Sequence, residues 1–309
     1  MKLSIVIPVY FNQDNLEPLY RDIKEKVLDR IDYDYELVMV DDGSRDDSYA
    51  VMQRLAAADP HIRTYSLSRN FGSHAAILCG LDHCSGDCAV VKTADLQEPS
   101  ELILEMVESW KQGNKVVLGV RQDREEGKRQ ILFADLYYWI VRKTALSNMP
   151  EKGFDVYLVD RKVIDVLSAL EERNSALTGQ VLWSGFRTAT VPYVRKAREI
   201  GKSRWTLRKK VRLVADTLFS FSTFPIMLIE TIGILSFLGA LIWSVVVLIF
   251  KISGSIPVAG WTTLFIFNLF SFGITMLTLG ILGEYLWRTF DSSRKRPTYI
   301  VERSGDEKN

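Results

Sequence analysis

The chain has 309 residues, of which 47% are hydrophobic and 25% charged, and its 39 basic and 38 acidic side chains almost cancel. This composition excludes a disordered, collagen-like or disulfide-scaffold protein, and the net charge of +1 excludes a globally basic nucleic-acid binder. Residues 226–250 and 261–283 are almost wholly apolar, whereas residues 194–212 carry nine Lys or Arg and one Glu. We therefore predict one soluble domain followed by a membrane-bound end.

Short β-type runs alternate with helical stretches over the first 120 residues. This alternation predicts an α/β domain with a mostly parallel sheet covered by helices on both faces. Residues 125–148 are typical of a helix and residues 185–194 of a further strand, whereas residues 150–158 have turn character. The predicted strands are 3–9, 36–40, 63–67, 87–91 and 115–120, and the predicted helices are about 15–28, 47–57, 72–83 and 99–112.

A ligand site is expected beyond the carboxyl ends of these strands, where residues 8–12, 41–44 and 93–97 should converge. Two adjacent carboxylates lie in the loop VDDGS at 40–44, although the same residues are typical of a simple turn. Asp95 and Gln97 offer oxygen ligands for a hard cation, Mg²⁺ or Mn²⁺, shared with a diphosphate. The alternative for 93–99 is a helix start that favours acidic residues.

Two segments are predicted to span a membrane. Residues 231–250 and 261–283 contain no charged side chain, and each is long enough to cross a hydrocarbon core of about 30 Å. Basic residues flank the pair on its outer sides, so both termini are expected in the cytoplasm. The three cysteines and the lack of a signal-peptide pattern also predict a cytoplasmic location for the first 200 residues.

An amphipathic helix is predicted just before the first span. Its apolar residues recur at spacings of four and three, and its basic residues lie away from that stripe. Such a helix is expected to lie on an anionic membrane surface. The stripe consists of Leu207, Val211, Val214, Leu218 and Phe221.

Several motifs occur in a fixed order along the chain: IVIPVY, VDDGS, LSRNFG, ADLQEP and LVDRK, then REIGKSRW, FSTFP and a two-span hairpin ending in GEYL. Together they resemble glycosyltransferase family two, and within it the membrane branch that makes polyprenyl-phosphate sugars. The resemblance extends over nearly the whole chain and implies a GT-A type, Rossmann-like domain. The expected division is a cytoplasmic glycosyltransferase domain at 1–200, a juxtamembrane segment at 201–224, two transmembrane helices at 225–290 and a cytoplasmic tail at 291–309.

The resemblance also implies roles for individual residues. Asp95 and Gln97 match the family's metal and diphosphate ligands, so a divalent cation, Mg²⁺ or Mn²⁺, is the expected cofactor. Arg121 and Arg204 match phosphate-contacting residues, and Asp155 matches the candidate catalytic carboxylate. The remaining residues expected to bind the nucleotide sugar are Pro8, Tyr10, Val40, Asp42, Ala94 and Arg198, together with Asp95 and Arg121.

Three positions depart from the family pattern. The family has a carboxylate where this chain has Thr93, so the expected metal site is one negative charge short. Tyr157 stands where the family's Gly-Asp-Phe-Arg pattern has arginine. Arg204 replaces a lysine, which keeps the charge and adds bidentate reach to phosphate.

The activity implied by the resemblance is inverting transfer of one sugar to undecaprenyl phosphate at the cytoplasmic face of a bacterial membrane. The expected donor is a UDP-sugar, such as UDP-glucose or UDP-N-acetylglucosamine, and the product is a lipid-linked sugar for cell-envelope glycan modification. The expected partners are the donor, the polyprenyl phosphate, the bilayer and further copies in a homo-oligomer, a tetramer by family analogy, with no nucleic acid.

Two alternatives remain at this point. A processive polysaccharide synthase would use similar chemistry, but its Gln-x-x-Arg-Trp motif is absent and two spans are few for a polymer channel. A catalytically silent membrane scaffold is suggested by Thr93.

Overall fold

A computed structural model describes residues 1–122, 128–170, 172, 175–196, 207–253 and 260–305. Its strands are β1 Lys2–Val9, β2 Asp34–Asp41, β3 Ile62–Leu67, β4 Cys88–Val91, β5 Val116–Arg121, β6 Val156–Asp160, β7 Thr188–Tyr193 and β8 Val301–Ser304. Its α-helices are α1 Gln13–Lys26, α2 Ser48–Ala58, α3 Ser73–His83, α4 Leu102–Lys111, α5 Lys128–Thr144, α6 Arg161–Ala169, α7 Leu177–Trp183, α8 Leu207–Phe221, α9 Phe224–Ile252 and α10 Trp261–Ser293.

The strands described above form one eight-stranded sheet in the order β7-β5-β6-β4-β1-β2-β3-β8. Parallel ladders join β1 to β2 and β4, β2 to β3, and β5 to β7. Two strands run the other way, since β6 is antiparallel to β4 and β5, and β8 is antiparallel to β3. The carboxyl ends of the parallel strands therefore share one edge of the sheet with the amino ends of β6 and β8.

Helices cover both faces of this sheet, because side chains along a strand alternate between its faces. In β1, Ile5 and Ile7 pack with Leu16 and Leu19 of α1 on one face. Val6 of the same strand packs on the other face, in the cluster that includes α3. The predicted α/β layering is confirmed.

All three cysteines are free thiols in this core, and none is more than 6% exposed. Burial raises the pKa of Cys79 and of Cys88 to about 12. These thiols are therefore protonated and unreactive at neutral pH.

Residues 150–158 differ from the sequence-based expectation of a turn. Their second half begins β6, Val156–Asp160, whose residues are all buried. Because β6 lies inside the sheet between β4 and β5, both of its faces are covered and its sequence has no polar alternation. A run of only five such residues gives no periodic signal, which explains the missed strand.

Part of the range 291–309, which is expected as a cytoplasmic tail, belongs to the α/β domain. In this part, Arg303 of β8 pairs with Ser66 of β3. The amide of Ser68 donates to the carbonyl of Ile300 at 3.0 Å. The hydroxyl of Tyr299 donates to Asp82 Oδ2 at 2.6 Å. Residues 299–305 thus form an edge of the sheet.

Within the described part of the chain, two helices are long and apolar enough to cross a membrane. The qualifying segments are Phe224–Trp243, with mean hydropathy 2.1, and Phe267–Ser293, with mean hydropathy 1.5. No part of their most apolar stretches is buried against the rest of the chain. This pattern of unburied apolar helices is expected of segments that have lipid as their solvent.

The expected amphipathic helix is present as α8, but protein covers part of its apolar stripe. The ring of Phe221 lies so close to α7 that a Cβ on Gly179 would be 2.3 Å from it. On the same helix, Thr217 is buried and its hydroxyl lies 3.2 Å from the hydroxyl of Tyr137 in α5. The side chains of Leu207 and Val211 lie outside the described part. The prediction that the whole stripe rests on lipid is therefore wrong at its C-terminal end.

An arginine connects α8 to the second apolar helix. Arg288 Nη2 donates to Asp216 Oδ1 of α8 at 2.8 Å, and its Nε donates to Glu284 Oε1 at 2.9 Å. The guanidinium also lies 5.2 Å from the ring centre of Phe219. This ion pair joins the end of the hairpin to the helix that precedes it.

We expect both ends of the hairpin on one side of the membrane, because α9 leaves the α/β domain and β8, after α10, pairs within it. A cysteine replacing Ser255, between α9 and α10, should react with an impermeant thiol reagent added to intact cells. A cysteine replacing the exposed Glu302 should react only after permeabilisation. The buried native thiols keep the background low, and labelling of position 302 in intact cells would contradict this topology.

Candidate active site

The loop after β2 is shaped by a tight turn. Gly43 has φ +67, and a Cβ there would lie 2.5 Å from the carbonyl carbon of Arg69. Asp41 accepts hydrogen bonds from the amide of Ser44 and from the hydroxyl of Ser66. Asp41 therefore stabilises the turn, as expected if the VDDGS motif acts as a simple turn at this position.

Asp42, which is expected to bind the donor, is buried beneath the neighbouring loop. Its carboxylate accepts from Asn70 Nδ2 at 2.9 Å, from the amide of Phe71 at 2.7 Å and from the amide of Gly72 at 2.9 Å. Four lone-pair directions are available to a carboxylate, so most of this capacity holds the 70–72 turn. A contact between Asp42 and the nucleotide stays a prediction.

A cavity opens beside these loops, with a volume of about 660 Å³. Tyr10 and Phe11, whose rings meet edge to face at 4.7 Å, lie on its wall. Arg303 of β8 lines the same cavity. Its size falls within the range of small-molecule sites. Val40 is fully buried in the core, so its side chain is not available to this cavity.

The loop after β4 brings a hydroxyl and two carboxyl groups together. Thr93 Oγ1 lies 2.8 Å from Asp95 Oδ1 and 2.5 Å from Glu98 Oε2. Leu96 has φ +60, a left-handed conformation that turns the chain between Asp95 and Gln97. Ala94 is buried below this turn.

Glu98 is a site residue that sequence reasoning assigned only to a helix start. Its side chain is 2% exposed, and burial followed by the charge of Asp95 raises the pKa of Glu98. Lys92 is equally buried and donates from Nζ to the carbonyl of Glu98 at 2.7 Å. Burial lowers the pKa of Lys92. The Glu98 carboxyl group therefore lies beside Thr93, the position at which the family has a carboxylate, although Glu98 is five residues further along the chain.

A second group of charges lies across the crevice. Arg121, at the end of β5, donates to Asp155, which immediately precedes β6. Burial alone would lower the pKa of Arg121, but the charge of Asp155 outweighs it and the pKa is raised. Tyr193, at the end of β7, is buried beside this pair, and burial followed by the charge of Asp155 raises the pKa of its phenol. The antiparallel direction of β6 is what brings Asp155 to this edge.

Arg195 connects the two groups and was not singled out from the sequence. Its Nη2 donates to Gln97 Oε1 at 2.6 Å. The same nitrogen is 3.9 Å from Asp95 Oδ2, and Nη1 is 3.9 Å from Asp155 Oδ2. The sequence does place Arg195 directly after the predicted strand 185–194, and ligand sites in such sheets lie just beyond the strand ends.

The other expected residues are distributed as follows. Pro8 lies near the end of β1, opposite Val40 in the ladder, and is partly exposed. Tyr157 is fully buried and packs edge to face on Phe154, so it points into the core and cannot take the place of the family's arginine in the crevice. The two arginines of the basic motif, Arg198 and Arg204, lie outside the described residues.

The donor set after β4 fits a hard divalent cation. Asp95 and Gln97 supply carboxylate and amide oxygens from the same turn. Among the described residues no group of three or more His, Cys, Asp or Glu could hold a metal ion alone. A site with two oxygen donors suits Mg²⁺ or Mn²⁺ that completes its coordination with phosphate oxygens and water.

Comparison with known proteins gives consistent matches. The family model described as Glycosyl transferase family 2 matches residues 4–165. An uncharacterized glycosyltransferase of Bacillus subtilis is 37% identical over 98% of this chain and 94% of its own length. A prophage bactoprenol glucosyl transferase homolog of Escherichia coli is 34% identical over 98% of this chain and 99% of its own. A bactoprenol glucosyl transferase of Shigella phage SfV is 33% identical over 98% of both chains.

A solved structure supports the fold. Glucosyl-3-phosphoglycerate synthase from Mycobacterium tuberculosis, in complex with Mn²⁺, UDP and phosphoglyceric acid, aligns with a TM-score of 0.50 at 18% identity. The alignment covers 71% of this chain and 78% of the synthase. The expected GT-A type α/β fold is confirmed.

The Thr93 hydroxyl should be important because it joins Asp95 to the buried Glu98. Thr93→Val keeps the shape but removes the hydrogen bond, and bonds to charged groups contribute about 1.5–3 kcal/mol. We expect kcat/KM for the nucleotide sugar to fall about tenfold or more. Thr188→Val, on the exposed side of β7, is the control and should leave kcat/KM unchanged; equal values for the two variants would contradict the role of Thr93.

Proposed function

Because the chain belongs to glycosyltransferase family 2, we propose that it transfers one sugar from a UDP-sugar to bactoprenol phosphate, also called undecaprenyl phosphate. Glucose is the first candidate sugar, since two of the relatives described above are named for bactoprenol glucosyl transfer. The observation that carries the proposal is the extent of these alignments, which cover 98% of the chain and include the segment of α9 and α10. The sequence similarity to these relatives therefore extends beyond the α/β domain to the two apolar helices.

The membrane end supports a lipid acceptor. A water-soluble acceptor gives no reason for two unburied apolar helices to follow the α/β domain. Packing of Phe221 and Thr217 against α7 and α5 keeps α8 on that domain, and Arg288 joins α8 to α10. The site domain is thereby held close to the bilayer, with the crevice on the cytoplasmic side in our proposal.

The donor must lose a nucleoside diphosphate, and the negative charge that develops on this leaving group has to be stabilised. Arg121 lies at the carboxyl edge of the sheet beside Asp155, and Arg195 lies between Asp155 and Asp95, 3.9 Å from a carboxylate oxygen of each. In this position the two guanidinium groups are suited to bind the diphosphate. A divalent cation held by Asp95 and Gln97 would supply further charge neutralisation.

The acceptor needs little help from a general base. A phosphate monoester has a second pKa near 6, so an oxygen of the lipid phosphate is already anionic at neutral pH. This oxygen would attack the anomeric carbon from the face opposite the diphosphate, with inversion of configuration. We propose that Asp155, already bound to Arg121, orients that arginine and the acceptor and does not remove a proton.

The two alternatives receive less support. A silent scaffold was suggested by Thr93, but the chain is a glycosyltransferase by family and by its relatives. Two of the relatives reported above are named for bactoprenol glucosyl transfer, which favours single transfer over polymer synthesis. The expected homo-oligomer stays a prediction.

The test is transfer by the purified full-length protein in detergent, with undecaprenyl phosphate and a panel of labelled UDP- and GDP-sugars. We expect one lipid-linked sugar, made fastest from UDP-glucose. Asp95→Asn should lower turnover about 10²-fold or more, the scale for removing one stabilising electrostatic group. Asp165→Asn, an exposed carboxylate on α6, is the matched control. Failure of every donor to give a lipid product, with the protein folded, would overturn the proposal.

A further inference from the structure

Arg195 occupies an unusual position between three groups that the proposed reaction would use. Its guanidinium lies against Gln97 Oε1 at 2.6 Å and within 3.9 Å of carboxylate oxygens of both Asp95 and Asp155. Only 25% of the side chain is exposed. A cation of the protein itself therefore lies between the two candidate metal ligands and the candidate catalytic carboxylate.

The backbone around Arg195 is also tied to the same loop. The amide of Lys196 donates to the carbonyl of Gln97 at 2.8 Å, and Gln97 Nε2 donates to the carbonyl of Lys196 at 3.2 Å. The side chain of Gln97 thus has both ends engaged, its oxygen by Arg195 and its nitrogen by Lys196. These bonds join residues almost a hundred positions apart in the sequence and hold Lys196 against the loop after β4.

A divalent cation would compete with this arrangement. It would take oxygens from Asp95 and Gln97, the same groups that Arg195 contacts, and its charge would repel the guanidinium at short range in a partly buried site. An anion placed beside both cations removes that conflict. The diphosphate of a nucleotide sugar is such an anion, and guanidinium binds phosphate oxygens in a bidentate manner.

We propose that Arg195 is a positioning residue that substitutes for the metal ion while the site is empty and moves to the donor diphosphate when metal and donor bind together. This proposal rests on the proposed function, because it takes a nucleotide diphosphate as the ligand. Metal alone binds weakly, since it must displace Arg195 without compensation. With the diphosphate present, Arg195 has a new partner and no longer engages Gln97.

The experiment measures free Mn²⁺ by electron paramagnetic resonance, with the full-length protein in detergent and with UDP as the probe. For Mn²⁺ alone, Arg195→Ala should bind about tenfold more tightly than the wild type, within the range usual for coupled sites. For Mn²⁺ with saturating UDP, the same variant should bind more weakly than the wild type. Arg187→Ala, at the exposed opposite end of β7, removes the same charge and should match the wild type in both titrations.

The outcomes separate this inference from the proposed function. If UDP strengthens Mn²⁺ binding in the wild type but Arg195→Ala gives the same constants, the inference is wrong and the donor site stands. If the wild type binds no Mn²⁺ even with UDP, the metal site of the proposed function fails and the inference fails with it. Arg195→Lys keeps the positive charge but not the planar guanidinium group. We expect this variant to bind Mn²⁺ alone as weakly as the wild type does, so it serves as the charge-conserving control for Arg195→Ala.

Discussion

The site depends on a balance of charges at one edge of the sheet. The carboxyl groups of Asp95, Glu98 and Asp155 lie in or near a partly buried crevice. Carboxylates this close together are stable only when cations or protons compensate their charge. Arg121 and Arg195 compensate Asp155, and burial followed by the charge of Asp95 raises the pKa of Glu98, which favours its neutral form. In the proposed function, the same arrangement provides Arg121 and Arg195 for the diphosphate of the donor.

The direction of two strands makes this balance possible. In an all-parallel sheet, the residue before β6 would lie at the opposite edge, far from Arg121. Because β6 is antiparallel to its neighbours, Asp155 arrives at the carboxyl edge and meets that arginine. The antiparallel β8 has a similar effect at the other end of the sheet, where Arg303 reaches the cavity beside Tyr10. The chain after the two apolar helices thus contributes to the wall of this cavity.

Local sequence patterns predicted the elements that local interactions determine. The alternating strands and helices of the first 120 residues, the loop with Asp95 and Gln97, and the two apolar helices could all be read from periodicity and spacing. The features that the sequence did not predict depend on contacts between residues that are distant in the sequence. A buried five-residue strand such as β6 has no pattern of its own, and β8 follows the two apolar helices and pairs with β3, more than two hundred residues earlier. Glu98 and Arg195 acquire their positions only through tertiary packing.

The central claim is that this edge of the sheet binds a nucleotide diphosphate together with a divalent cation. The most direct measurement is isothermal titration of UDP into the full-length protein in detergent, with Mn²⁺ and with EDTA. We predict that Mn²⁺ tightens UDP binding about tenfold or more, as for other coupled ligands, and that Asp95→Asn removes this difference. Equal UDP affinity in Mn²⁺ and in EDTA for the wild-type protein would contradict the claim.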